Sequence, residues 1–138
     1  MADGYLTAAQ VGLRAALVAD PGVATLVGDR VVDEPGEGIH LPYVRFGRSE
    51  VSEDDAGATR GAIVQFGLEV HSRAGSAGKV EASHICEAVS SALHKRPEVV
   101  AAEGFTVTEV EIQTWYVERA RNGKDHLGRL ALQVHLDA

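Results

Sequence analysis

Apolar positions recur along this chain with two different periods, and the switches between them mark out its elements. From Leu6 to Asp20, the residues Leu6, Ala9, Leu13, Ala16 and Leu17 share one stripe of a helical wheel and predict an amphipathic helix. Thr7 is placed to cap its start and Pro21-Gly22 to end it. Val11, Ala15 and Val18 form a second, weaker stripe on the opposite side, which one core has no reason to cover. They are a candidate subunit contact, although small exposed apolar residues are also ordinary on protein surfaces. Val23 to Val27 reads as a further helical turn, followed by Gly28-Asp29 and a short strand at Arg30 to Val32.

Beyond the loop Asp33 to His40, the period becomes two. Leu41 to Phe46 alternates as a strand, with Pro42 near its start, where a missing N–H does least harm. Arg48 to Thr59 holds Glu50, Glu53, Asp54 and Asp55 among small residues and predicts a long, projecting polar arm. Ala62, Val64, Phe66, Leu68 and Val70 then alternate with Gln65, Glu69, His71 and Arg73, the pattern of a half-buried strand. Gly75 to about Leu93 returns to the helical period, with Ala82, Ile85, Cys86, Val89 and Leu93 on one side and Lys79, His84 and Glu87 on the other.

Phe105 to Val117 reads as a long strand in which Val110 and Ile112 oppose Glu109, Glu111 and Gln113. Trp115 and Tyr116 point to opposite faces, so one packs in the core while the other meets solvent or a partner. Arg121-Asn122-Gly123-Lys124 has the composition of a hairpin turn, because Asn-Gly supplies positive φ angles. In the last strand, Leu130, Leu132, Val134 and Leu136 face in, with Arg129, Gln133 and His135 facing out. The expected fold is α+β: an antiparallel sheet of about four main strands with two helices packed on one face and a long polar loop between strands. Residues 1–138 are expected to form a single domain.

Composition narrows the function more than it defines it. Thirteen basic against twenty acidic residues give a net charge of −7, which removes the general attraction to phosphate behind tight nucleic-acid binding. An acidic ring can still confine passing DNA without holding it. The N-terminus lacks the pattern of a signal peptide and no apolar run approaches the ~20 residues of a membrane span, so no membrane partner is expected. Cys86 is the single cysteine, which excludes an internal disulfide. Its place in a helical core stripe predicts a buried, protonated thiol rather than a nucleophile.

No catalytic or cofactor pattern emerges. The six histidines show no helical i, i+4 pair, and Gly36-Glu37-Gly38 and Gly75-Ser76-Ala77-Gly78 match neither phosphate-loop nor dinucleotide fingerprints. The acidic cluster lacks calcium-loop spacing, and no Gly-x-Ser-x-Gly elbow occurs. No metal, cofactor or enzymatic activity is expected. Arg119, Arg121 and Lys124 make one basic hairpin end on an acidic molecule, suited to contact with acidic neighbours; a solvated turn is the plain alternative.

Several pieces resemble a known family in order and spacing. They are Ala16-Leu17-x-x-Asp20-Pro21-x-Val23, Leu26-Val27-Gly28-Asp29-Arg30-Val31, Leu41-Pro42-Tyr43-Val44 and the helix ending Ser91-Ala92-Leu93. Together with the Gly/Arg-rich hairpin and the last strand, they resemble the tail-completion or tail-terminator proteins of long-tailed phages, prophages and gene transfer agents. That resemblance covers nearly the whole chain and carries no active-site motif. It implies a virion protein, assembled in the host cytoplasm, that forms a hexameric ring on the head-proximal end of the tail tube. Such a ring stops tube polymerisation, meets the major tail tube protein and the head-completion or neck proteins, and passes DNA through its lumen.

In that setting Glu109 and Glu111, or the arm carrying Glu50, Glu53, Asp54 and Asp55, are candidates to line the lumen or dock the tube. A neck or head-completion adaptor is the alternative within the same particle. A small cytosolic enzyme or ligand-binding domain is the alternative outside it, and would need a concave pocket around His71 or His135. Charging Val18 is expected to spare folding and block ring assembly.

Overall fold

The computed structural model describes residues 4–54, 60–73 and 78–138. Helix α1 spans Tyr5–Ala19 and buries Ala8, Ala9, Leu13 and Leu17, while Leu6 and Ala16 pack half-buried against the same core. Gly4 occupies the N-cap without a side-chain hydrogen bond, so Thr7 is not the cap but an exposed residue of the first turn. Asp20 then serves two helices. Its N–H donates to the carbonyls of Ala16 and Leu17, and its Oδ2 accepts from the N–H of Val23 at 3.0 Å. Pro21 follows at the first helical position, where it lacks only a donor that would be unpaired anyway. Pro21-Gly22 therefore opens a second helix, α2 (Pro21–Val27), rather than merely ending the first.

Five strands form one sheet in the order β1-β2-β3-β5-β4: β1 (Val31–Val32), β2 (Tyr43–Asp54), β3 (Gly61–Ser72), β4 (Thr106–Arg119) and β5 (His126–Asp137). The four long strands pair antiparallel, whereas β1 adds a parallel edge opposite Val44 and Arg45. Arg14 ties α1 to this edge, donating from Nε to the Val31 carbonyl at 2.8 Å. Helix α3 (Gly78–Leu93) lies between β3 and β4 in the chain and buries Ala82, Ile85, Cys86, Val89 and Leu93 against the sheet. The α+β expectation holds, with α2 as a third helix on the covered face.

Two expectations along β2 and the β4–β5 turn need correction. The stretch from Arg48 to Asp54 is strand rather than a projecting arm, paired as Glu50↔Gln65, Val51↔Val64, Ser52↔Ile63 and Glu53↔Ala62. Its composition conceals this because Arg48 and Glu50 to Glu53 all stay exposed, so no apolar alternation is required; even Val51 remains 36% exposed. Asp55 lies outside the described residues. In the hairpin, only Gly123 takes a positive φ, 72°. Asn122 works through its side chain instead, its Oδ1 accepting from the N–H groups of Lys124 and Asp125.

One-residue bulges set which residues face the core. An extra residue between Ile112 and Thr114 resets the alternation of β4, so Trp115 and Val117 pack against the core and Tyr116 stays 51% exposed. The outer edge of β4 is capped in its middle by the end of α3. Lys95 N–H donates to the Val110 carbonyl at 2.8 Å, and Ile112 N–H donates to His94 Nδ1 at 3.0 Å. An imidazole thus supplies the acceptor that a sixth strand would have offered.

Two glycines are required by close packing. A Cβ on Gly12 would lie 2.5 Å from the Ala101 carbonyl oxygen, and one on Gly128 would lie 2.6 Å from Cys86 Sγ. At Gly12 alanine would add about 1 kcal/mol of helix propensity, but the contact is with rigid backbone and overpacking costs roughly 1–3 kcal/mol. Gly12→Ala and Gly128→Ala are therefore both expected to lower stability in denaturant titrations, and an unchanged midpoint for Gly12→Ala would show that α1 can move off Ala101.

Candidate functional site

The sheet face away from the helices is open and divides into two halves. At the end where Tyr43, His71, Leu127 and Glu118 are aligned across four strands, the charges neutralise one another. Glu69 is the hub. Its carboxylate lies 3.0 Å from His71 Nε2, 4.0 Å from Arg45 and 3.5 Å from Arg129, and Arg129 reaches on to Glu118 at 3.2 Å. His71 stacks on Tyr43 with ring centres 4.7 Å apart. Burial pushes the Tyr43 phenol up, aided by Glu69 and Asp125 and opposed by Arg45. Such exposed pairs contribute little stability individually, about 0–1 kcal/mol each, but they fix the side chains of this half in place.

The other half is acidic. Glu109 and Glu111 face outward on β4, aligned with His135 and Gln133 of β5, and Glu50 faces outward on β2. Gln113 donates to Gln133 at 3.2 Å, and His135 lies 3.9 Å from Glu109. Between the halves, two shallow adjoining depressions of about 200 and 240 Å³ share Arg48, Gly67 and Ala131. Glu53 falls on the opposite face from Glu50, because neighbouring strand positions alternate and the two are three apart. The acidic residues of β2 are therefore split between two faces.

The remaining candidate residues lie elsewhere. On α1, Val11 is 60% exposed and Ala15 is exposed, but Val18 is half-buried and packs against the core. A charge at Val18 thus strains folding, and Val11 is the position that isolates assembly. Arg119, Arg121 and Lys124 are all exposed at the β4–β5 hairpin, where Arg119 donates to the Gly123 carbonyl at 3.1 Å. Beside them lies a groove of about 450 Å³, lined in part by Ile39, Leu41, Tyr43, His71, Arg121 and Asp125. His71 does border this concavity, but its ring is engaged by Glu69 and Tyr43.

Two groups show how the core treats ionisable side chains. Burial pushes the Cys86 thiol up to about 12, with a smaller push from Glu87, so it is a protonated packing group. Partial burial also pushes Glu81 up, but donation from Arg73 and from the Ser72 hydroxyl outweighs it and holds the carboxyl below its ordinary value. The Ser72 Oγ–Glu81 Oε1 distance is 2.9 Å and Arg73 Nε lies 3.1 Å from Oε2, joining the end of β3 to the start of α3. Periodicity missed both this clamp and the role of His94, since each depends on partners distant in sequence. Among the described residues no cluster of three His, Cys, Asp or Glu side chains could hold a metal ion.

A sheet with one helical layer and one broad polar face defines a protein that presents surfaces to neighbours. The chain belongs to the tail completion protein gp17 family, whose model matches residues 11–136. It is accordingly a structural protein of the virion tail. Its fold is similar to that of a chain in the virion of a native gene transfer agent particle, with a TM-score of 0.85 and 22% identity. The likeness covers 98% of this chain and 100% of that one. No curated protein sequence matches it.

Because the folded state lowers the Glu81 pKa, this group contributes stability above its unfolded pKa, and the contribution is lost as pH falls through the folded one. Glu81→Gln is expected to lower stability at neutral pH and to flatten its dependence on pH below the ordinary value of 4.5. Unfolding titrations at pH 7 and at pH 3 check both; an unchanged pH profile would remove the clamp.

Proposed function

We propose that this chain is a tail terminator: copies close into a hexameric ring on the head-proximal end of the tail tube, stop its growth and join it to the head-completion proteins. Membership of the tail completion family over residues 11–136 carries this reading. The likeness to a chain of a gene transfer agent virion supports a particle of that kind. Ring closure needs two different patches on each copy, since a heterologous contact uses unlike surfaces. The exposed Val11 and Ala15 on α1 supply an apolar patch on the helical side of the sheet.

The acidic half of the outer face is the part suited to a lumen. Glu109, Glu111 and Glu50 would repel the phosphate backbone, so that DNA passes without adhering. The opposite half, neutralised around Glu69, is suited to contact with protein rather than with DNA.

Deletion of the gene is expected to give particles with overlong or unattached tails, scored by electron microscopy. Normal tails beside unfilled or leaking heads would overturn termination in favour of a neck adaptor. Glu109→Lys with Glu111→Lys is expected to leave tail length unchanged while slowing DNA delivery, and normal delivery by such particles would remove these residues from the lumen. Val11→Asp is expected to keep the monomer's melting temperature and abolish the hexamer in native mass spectrometry.

A further inference from the structure

The two ends of the sheet are electrically unlike, and one copy cannot bring them together. Tyr43, His71, Leu127 and Glu118 mark one end, and Asp54, Gly61, Asp137 and Thr106 mark the other. Ten steps of the unbulged β3 and β5 separate them, roughly 33 Å at the usual rise per residue.

At the first end, Arg119, Arg121 and Lys124 make no ion pair among the described residues. The carboxylates beside them are already engaged: Glu118 is 3.2 Å from Arg129, and Asp125 accepts from Asn122 at 2.7 Å. Of the three cations, Arg121 lines the roughly 450 Å³ groove, whose walls also include Ile39, Leu41 and the engaged Asp125.

At the other end the pattern is reversed. Val51 is an exposed apolar side chain on the same strand face as the exposed Glu53, and Asp137 is exposed beside Gly61. Glu53 and Asp137 make no ion pair among the described residues, while Glu50 lies 3.9 Å from Arg48, itself almost fully exposed. Arg60 is the other cation at this end and already has a partner. An apolar side chain beside a carboxylate at one end thus matches a groove at the other in which Ile39 and Leu41 stand beside Arg121.

We propose that these ends dock on each other between copies, with Val51 of one copy seated in the groove beside Ile39 and Leu41 of the next. Glu53 then meets Arg121 and its hairpin neighbours Arg119 and Lys124. This inference rests on the ring reading and adds to it the second, charged patch that a closed heterologous ring requires. The occupant is a second copy because the chain itself carries the complementary surface, and each copy offers one of each, which is the condition for head-to-tail growth. Where the rotation between copies closes, the result is a ring; salt weakens the contact because it is exposed at its rim.

The test uses three full-length variants: Arg119→Glu/Arg121→Glu/Lys124→Glu, Glu53→Lys, and a chain carrying all four changes. Self-association is measured by analytical ultracentrifugation, with melting curves to confirm folding of these exposed positions. Each one-sided reversal is expected to weaken association on the order of 100-fold, and the combined variant to restore it. Val51→Ser is expected to weaken it without a change in charge, which keeps the contact testable if a reversal fails to fold. Wild-type oligomers unaffected by either reversal would overturn this pairing and leave the ring standing. A wild-type chain that remains monomeric at every concentration, in solution and on tails, would overturn the ring and this contact together.

Discussion

Twelve successive residue pairs join β3 to β5 without a break, from Gly61 opposite Asp137 to Ser72 opposite His126. This ladder sits at the centre of the sheet, and the other elements are placed by it. Val64, Phe66, Leu68 and Val70 on one strand and Leu130, Leu132, Val134 and Leu136 on the other are all buried on the same face. A slip of either strand by one residue would turn its own apolar set into water and bring its polar set, Gln65 and Glu69 or Arg129 and Gln133, under the helices. The register is therefore held by the burial of the whole apolar face, which is why a sheet with such a polar second side has one alignment.

Irregularity is confined to the flanking strands, where it is useful. Bulges fall in β2 between Phe46 and Ser49 and in β4 between Val107 and Glu109 and between Ile112 and Thr114, while the central pair has none. The second β4 bulge turns Trp115 inward and leaves Tyr116 outward beside Arg129. Both outer edges are partly protected: β1 covers Val44 and Arg45, and the His94–Lys95 segment covers Val110 to Ile112. The protection stops short of the strand ends, and those ends carry the unlike charges on which assembly is proposed to depend.

A structural role in a tail asks for surfaces rather than for a converging set of reactive groups, and the chemistry of this molecule is arranged accordingly. Its thiol is buried and protonated, and its most connected carboxylate, Glu69, is shared among Arg45, His71 and Arg129. Charges that make no ion pair among the described residues, such as Glu53, Arg121 and Lys124, lie at the rims. The division of the outer face into a neutral and an acidic half follows from which cations the cross-strand register places beside which carboxylates.

Much of this was legible in the residues themselves. The helical stripe Leu6 to Leu17 and the alternation of Ala62 to Val70 and Leu130 to Leu136 name the core directly, because burial on one face imposes a period that local sequence must carry. Four fragments, from Ala16 through Leu93, also carried the family. What only the tertiary structure decided lay where neighbours outrank period. Arg48 to Asp54 reads as a polar arm because an uncovered edge strand needs no apolar alternation, yet its backbone is claimed by β3. Val18 reads as a free stripe but is half-covered by the core. His94 and Glu81 gain their roles from Ile112 and Arg73, contacts set by the packing of α3 on the sheet. Periodicity records which side of an element is buried; it does not record what stands opposite.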